Sequence, residues 1–290
     1  MESNIMYNEI NKEYIVNNRD QLLPGPIGQV KSSIVCVFIS LFFVLSIYFR
    51  NKSTNRNDPE VIKKRITRVF FSTIVSLILL YTFIPNSNNK FYIFLQIIGI
   101  PTSLWDIINS IVPLLLTMML FLGPIVMDRD FLNISHDIET LRDIIVGPLV
   151  EELVFRSVIC PILFFGGFSQ RYIIILSPFL FGFAHAHHIF QKGNYFINLI
   201  KVLVQVCFTS LFGMYSAFLF FRTGNILACF IVHSFCNIMG LPDFGGISDH
   251  ENKKVVGACF IIGLIGFIFG VLPATNPEYY GSIFNLLEAW

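Results

Sequence analysis

Apolar residues in this chain gather into long unbroken stretches separated by short polar connectors. Stretches long enough to cross, or nearly cross, the roughly 30 Å hydrocarbon core of a bilayer run about from Ser33 to Phe49, Val69 to Ile84, Ile107 to Met127, Tyr195 to Phe221 and Val255 to Leu272. Four more are shorter or studded with polar residues: Phe91 to Leu104, broken by Gly99 and Pro101, then Ile144 to Phe165, Tyr172 to His188 and Ile226 to Leu241. The pattern predicts an all-α integral membrane protein with about eight transmembrane helices. Continuous apolar runs of this length speak against a membrane barrel, whose strands alternate over segments of about ten residues. There is no internal repeat and no composition break, so residues 1–290 read as a single polytopic domain.

Composition points the same way. Hydrophobic residues make up 54% of the chain and charged residues only 13%, with a mean hydropathy of +0.67, which excludes an ordinary soluble domain. A net charge of +1 offers nothing to nucleic acid. Arg50, Lys52, Arg56, Lys63, Lys64, Arg65 and Arg68 crowd between the first two spans, which assigns that loop to the cytoplasmic side and the amino terminus to the other. The polar leader is too long for a cleavable signal peptide, so the first span is expected to act as an uncleaved anchor. All six cysteines fall in apolar stretches without a C-x-x-C pair, which indicates neither a disulfide framework nor a thiolate zinc site.

Charges inside the apolar stretches need a reason, because each costs roughly 2.5 to 3.5 kcal/mol at the centre of a spanning helix on insertion scales. The run GPLVEELVFR carries Glu151, Glu152 and Arg156. Residues four apart stack on one helix face, so Glu152 lies over Arg156 in the favourable order for an ion pair. That pair reads as structural. Glu151, about 100° around the axis, looks elsewhere, and Gly147 and Pro148 suggest a helix start that places it near the positive dipole end.

Two other sites hold ionisable or amide groups. In FGFAHAHH, Phe181 and His185 share a face, while His187 and His188 read as interfacial. In HSFCN, His233 and Asn237 project together and could form an oxyanion pocket. A lone intramembrane histidine is ordinarily helix glue; a free glutamate and two histidines together point to chemistry. Gly266 and Gly270, spaced G-x-x-x-G, read as a helix-packing notch.

In order and spacing these blocks resemble the type II CAAX prenyl endopeptidases, the Ras-converting enzymes of the wider CAAX protease and bacteriocin-processing group. The family pattern has E-E-x-x-x-R, seen here as Glu151, Glu152 and Arg156; F-x-x-x-H, seen as Phe181 and His185; and H-x-x-x-N or D, seen as His233 and Asn237. The resemblance covers about residues 141–241, which it marks as the catalytic core. It implies eight helices around an intramembrane catalytic chamber in the endoplasmic reticulum membrane, and removal of the last three residues from farnesylated or geranylgeranylated CAAX protein tails, such as those of Ras-like GTPases. It also implies that Glu151 and His185 activate water, that His233 and Asn237 hold the oxyanion, and that Glu152, Arg156 and Phe181 give structural support, without metal or cofactor.

Three rival readings use the same residues. Glu151, His185 and His233 could form a two-histidine, one-carboxylate zinc site, although no H-E-x-x-H is present. Cys236, three residues after His233, could serve as a thiol nucleophile, against which its apolar neighbours argue. A polytopic transporter would also place Glu, His and Arg within the membrane, but the paired, broken spans of such proteins are not evident.

Overall fold

The computed structural model describes residues 18, 23–24, 27–49, 57–128, 130–183 and 195–287, and every regular element among them is a helix. In chain order these are α1 (Gln29–Tyr48), α2 (Pro59–Phe83), α3 (Lys90–Ile98), α4 (Leu104–Asn109), α5 (Ile111–Leu120), α6 (Leu122–Met127), α7 (138–165), α8 (Gln170–Phe183), α9 (Tyr195–Thr223), α10 (Ile226–Met239), α11 (Lys253–Ala274), α12 (Pro277–Tyr280) and α13 (Ile283–Leu287). Among the described residues four helical stretches are long and apolar enough to cross a bilayer: α1, α2, α11 and the Leu199–Thr223 part of α9. The count of about eight is therefore not reached among the described residues, since the other segments are shorter, broken or, in α7, interrupted by charged residues.

Local chemistry explains the differences from expectation. Helix α2 starts ten residues earlier than its apolar run, because Asp58 accepts from the Glu60 N–H at 2.9 Å and Pro59 occupies the first helical position. Lys63, Lys64, Arg65 and Arg68 thus lie on its first turns and not in a loop. The run from Ile107 to Met127 is divided, with α5 and α6 each restarting two residues before a proline, Pro113 and Pro124, whose missing N–H interrupts the ladder. Helix α3 stops at Gly99, which takes φ 76°. A side chain there would press on the Gly224 carbonyl and the Phe220 ring, and the Gly99 carbonyl accepts from the Ile226 N–H at 2.8 Å, tying α3 to the start of α10.

Helix α7 departs most from the expected form. It begins at Asp137, which accepts from the Thr140 N–H at 2.7 Å; that bond holds the Asp137 carboxyl below the usual carboxylate range. The backbone then stays helical through Gly147 and Pro148, so no helix starts there and Glu151 lies well inside a continuous segment. Two wide π turns, Leu141–Val146 and Phe155–Ile159, each precede a proline, Pro148 and Pro161. The wider turn relieves the clash between a proline ring and the carbonyl four residues earlier.

The outer helices put large apolar side chains outward and small polar ones inward. On α1, Ile34, Phe38, Leu41 and Leu45 are exposed while Ser32, Cys36 and Ser40 are buried; on α2, Phe71, Ile74 and Ile78 are exposed while Ser72, Thr73 and Ser76 are buried. The buried hydroxyls bond back to their own helices, Ser40 to the Cys36 carbonyl at 2.8 Å and Thr73 to that of Val69 at 2.7 Å. This is how helices pack in lipid, where outward hydrocarbon costs nothing and small residues permit close approach. Helix α11 shows it most fully: side chains at Gly263 or Gly266 would collide with Met119 of α5, which confirms and extends the expected notch. At the centre α7 buries Val154, Val158, Ile159 and Ile162 completely, enclosed by α1, α2, α8, α9 and α10.

Candidate active site

The two adjacent glutamates of α7 meet different surroundings. Glu152 is fully buried and points between α9 and α10. Its Oε1 accepts from Arg156 Nη1 at 3.1 Å and from His233 Nδ1 at 2.7 Å; its Oε2 accepts from the Ser216 hydroxyl at 2.6 Å. Arg156, itself buried, donates onward from Nη2 to the Gly213 carbonyl at 3.3 Å and lies over the Phe212 ring. Gly213 is required at this crossing, since a Cβ there would sit 2.8 Å from Pro178 and 3.3 Å from the guanidinium. The predicted pairing of Glu152 with Arg156 is thus present, as one part of a larger network.

His233 joins this network to the other glutamate. An ionised carboxylate only accepts, so the contact with Glu152 assigns a proton to Nδ1 and turns Nε2 outward. Nε2 stands 3.7 Å from Glu151 Oε2. That gap is too long for a direct hydrogen bond and suits a bridging atom. The imidazole also packs on Phe212, ring centroids 4.5 Å apart, which leaves it little rotational freedom. The Glu151 side chain is 24% exposed, against 0% for Glu152.

Glu151, His233 and Asn237 all line one cavity of about 1340 Å³ between α1, α2, α5, α7, α9, α10 and α11. Most of the lining is aromatic or aliphatic, including Phe43, Phe121, Phe208, Phe212, Phe260 and Phe267, so the space takes a long hydrocarbon group beside a few polar ones. Asn237 sits one helical turn beyond His233 and donates from Nδ2 to the Asp143 carbonyl at 2.8 Å. The wide turn creates that acceptor. Gly147 N–H bonds Arg142 in the π register, and the next residue, which would reach Asp143, is Pro148 and has no N–H. An amide nitrogen carries two hydrogens, so this bond fixes the side chain while leaving it a second donor.

His185, His187 and His188 lie outside the described residues; Phe181 falls within α8, and its side chain is likewise outside them. Cys236 lines the cavity as a free thiol on the same helix as His233. The residues that sequence reasoning missed are Ser216 and Gly213. Their signal is a stripe of small residues, Gly213, Ser216 and Ala217, in a phenylalanine-rich run, and it marks close helix packing without revealing the carboxylate behind it.

Comparison with known proteins adds an independent line. A family profile described as Type II CAAX prenyl endopeptidase Rce1-like matches residues 138–239. The chain is 31% identical over 280 residues to CAAX prenyl protease 2 of Homo sapiens, covering 86% of this chain and 82% of that protein. It is 32% identical over 269 residues to probable CAAX prenyl protease 2 of Schizosaccharomyces pombe, covering 84% and 95%. Against CAAX prenyl protease 2 of Arabidopsis thaliana the identity is 30% over 295 residues, covering 88% and 93%. No solved structure matches the chain.

Proposed function

Because this chain belongs to the type II CAAX prenyl endopeptidase family, it is an intramembrane endopeptidase of CAAX proteins, and we propose the following division of labour among its polar residues. The substrate is a farnesylated or geranylgeranylated tail, such as that of a Ras-like GTPase, with the prenyl chain among the aromatic residues of the cavity. Glu151 and His185 take the proton from a water whose oxygen attacks the carbonyl carbon of the prenylated cysteine. The oxyanion is received by His233 Nε2–H and Asn237 Nδ2–H. Collapse of the tetrahedral intermediate expels the amine of the terminal tripeptide, which takes up the proton, and leaves the cysteine carboxylate.

For His233 to donate from Nε2 while Glu152 holds Nδ1–H, the ring carries both protons, and Glu152 is its counter-charge. Arg156 and Ser216 hold that carboxylate in place. In this reading residues 141–241 form the catalytic core of one polytopic domain, eight spans surround the chamber, the enzyme resides in the endoplasmic reticulum membrane, and no metal takes part.

The observation that carries the reading is His233 placed between the glutamates, 2.7 Å from Glu152 and 3.7 Å from Glu151, on the wall of an apolar cavity. Purified protein in vesicles, offered a prenylated CAAX peptide, should release the tripeptide. Release should vanish in Glu151→Ala and His185→Ala; unchanged release in both refutes the assignment. Stoichiometric zinc, with turnover lost reversibly to a chelator, would replace the water-activating pair with a metal mechanism.

A further inference from the structure

A prenylated tail brings two unlike parts to one site, a hydrocarbon on the cysteine and a tripeptide a-a-X that ends in a carboxylate. The cavity wall on either side of His233 is unlike in the same way. Helices α9 and α10 are antiparallel, since the Ser216 carbonyl accepts from the Cys229 thiol at 3.6 Å and, further along, Phe212 packs on His233. Tyr215 and Asn237 therefore lie on opposite sides of the imidazole. On the Tyr215 side the wall is aromatic: its ring meets Phe267 edge to face at 5.4 Å, and its hydroxyl is bonded to that of Thr117 at 2.9 Å. On the Asn237 side stand charged groups, with Asn237 bonded to the Asp143 carbonyl and Asp143 paired with Arg142 at 2.6 Å. A carboxylate removed from water is strongly disfavoured, which favours a tripeptide running past Asn237 toward those groups and a prenyl chain on the other side.

Past Asn237 the wall is not polar throughout. The Gly240 N–H still bonds the Cys236 carbonyl at 2.9 Å, so its Cα lies about one turn beyond Asn237, and at φ 62° it leads the chain out of the helix. Leu241 follows one Cα step of about 3.8 Å later, which puts it within about 9 Å of Asn237 from Cα to Cα. Three extended residues span at most about 10 Å, so a tripeptide whose scissile carbonyl sits at Asn237 reaches this stretch. Leu241, Pro242 and Phe244 all line the cavity there, and the Phe244 ring lies against that of Phe260 at 5.3 Å. The stretch is held in shape: Asp243 accepts from the Gly246 N–H at 2.9 Å, and a side chain at Gly246 would press on Asp243 and on Met127 of α6. Yet Leu241 is 61% and Phe244 66% exposed, so most of their apolar surface is not spent on the protein's own packing.

Resting on the peptidase reading above, we propose that Leu241 and Phe244, together with Pro242, form the subsite for the aliphatic side chains of the leaving tripeptide and so help select a-a-X tails. An apolar lip beside charged groups matches, in order, two aliphatic residues followed by a carboxylate. An aliphatic side chain laid on this lip removes apolar surface from water on both partners, whereas a polar one gives up hydrogen bonds that the lip does not return. Contact of the same side chains with lipid alone, or with the prenyl chain, predicts different results in the experiment that follows.

Two farnesylated peptides that share their cysteine and last residue, with either two leucines or two asparagines between, are offered to the full chain in vesicles, beside a geranylgeranylated form of the leucine peptide. Wild type should cleave the leucine peptide with a kcat/KM roughly 10 to 100 times that for the asparagine peptide. Leu241→Ala and Phe244→Ala should each lower this ratio about 3- to 10-fold by losing activity on the leucine peptide. The double variant should bring it close to one, while Leu241→Met keeps most of the preference and the ratio of farnesyl to geranylgeranyl cleavage holds throughout. Each ratio is taken within one preparation, so a poorly folding variant reports as well as a stable one; should the double variant yield no protein, the single variants decide. Equal cleavage of the leucine and asparagine peptides by wild type overturns the proposal. So does a uniform loss that leaves their ratio unchanged in both single variants, the result expected of side chains that meet only lipid. A shift confined to the farnesyl to geranylgeranyl ratio overturns it too, since it assigns the lip to the prenyl chain. Wild type that cleaves no peptide at all sinks the peptidase reading itself, and this proposal with it.

Discussion

Behind α7, Glu152, Arg156, Ser216 and His233 Nδ1 form one buried network; in front of it, Glu151 and His233 Nε2 line the cavity. Two carboxylates adjacent in sequence thus hold opposite positions. A group sealed among its partners is fixed and fixes others, whereas a group on a cavity wall can meet water and substrate. The imidazole spans both regions and converts the rigidity of the first into orientation in the second.

The largest effect that bears on this contrast is expected from Glu152→Ala. It leaves Arg156 buried without its partner, at a cost of roughly 3 to 5 kcal/mol, and frees the His233 ring. Thermal unfolding in micelles should show a large loss of stability together with loss of cleavage; a variant as stable as wild type would show that the sealed region does not hold the fold. Asn237→Ala comes next and acts on the open side. Cleavage should fall about 100- to 1,000-fold, while stability changes by about 1 kcal/mol for the lost bond to the Asp143 carbonyl. A greater effect on stability than on rate would move Asn237 to the structural side of the comparison.

Ser216→Ala removes one of three donors from Glu152 and should cost roughly 1.5 to 3 kcal/mol of stability, with a smaller loss of cleavage than Asn237→Ala. The sharpest reading comes from the ratio of those two losses, since Ser216 lines no part of the cavity. Smallest of all, Cys236→Ala should leave substantial cleavage, although the thiol lies on the same helix and the same cavity as His233. Complete loss there would favour a thiol nucleophile over an activated water.

What the sequence disclosed followed helix geometry. Four-residue spacing announced the pair of Glu152 and Arg156, found at 3.1 Å, and the shared side of His233 and Asn237, found on one cavity. Periodicity within a helix does not say which helix lies opposite, so the bond from His233 to Glu152, 81 residues apart, could not be read. Nor could Ser216, whose hydroxyl in an apolar run resembles any small packing residue. Gly147 and Pro148 misled as a start signal, because local preferences for a proline at the first helical position do not reveal that a wide turn already carries the helix past it. Prolines also divided the run from Ile107 to Met127, where hydropathy registers only an unbroken apolar stretch.

The turn at Leu141–Val146 carries a consequence for how this protein tolerates change. A π turn is an α-helix with one residue to spare. Losing that one residue would return the turn to the α register and leave the remainder in phase, whereas a deletion in the α-helical turn that carries the glutamates would bring Glu152 to the place of Glu151 and Glu151 to that of Val150. Tolerance of a change in length is therefore concentrated at the π turn.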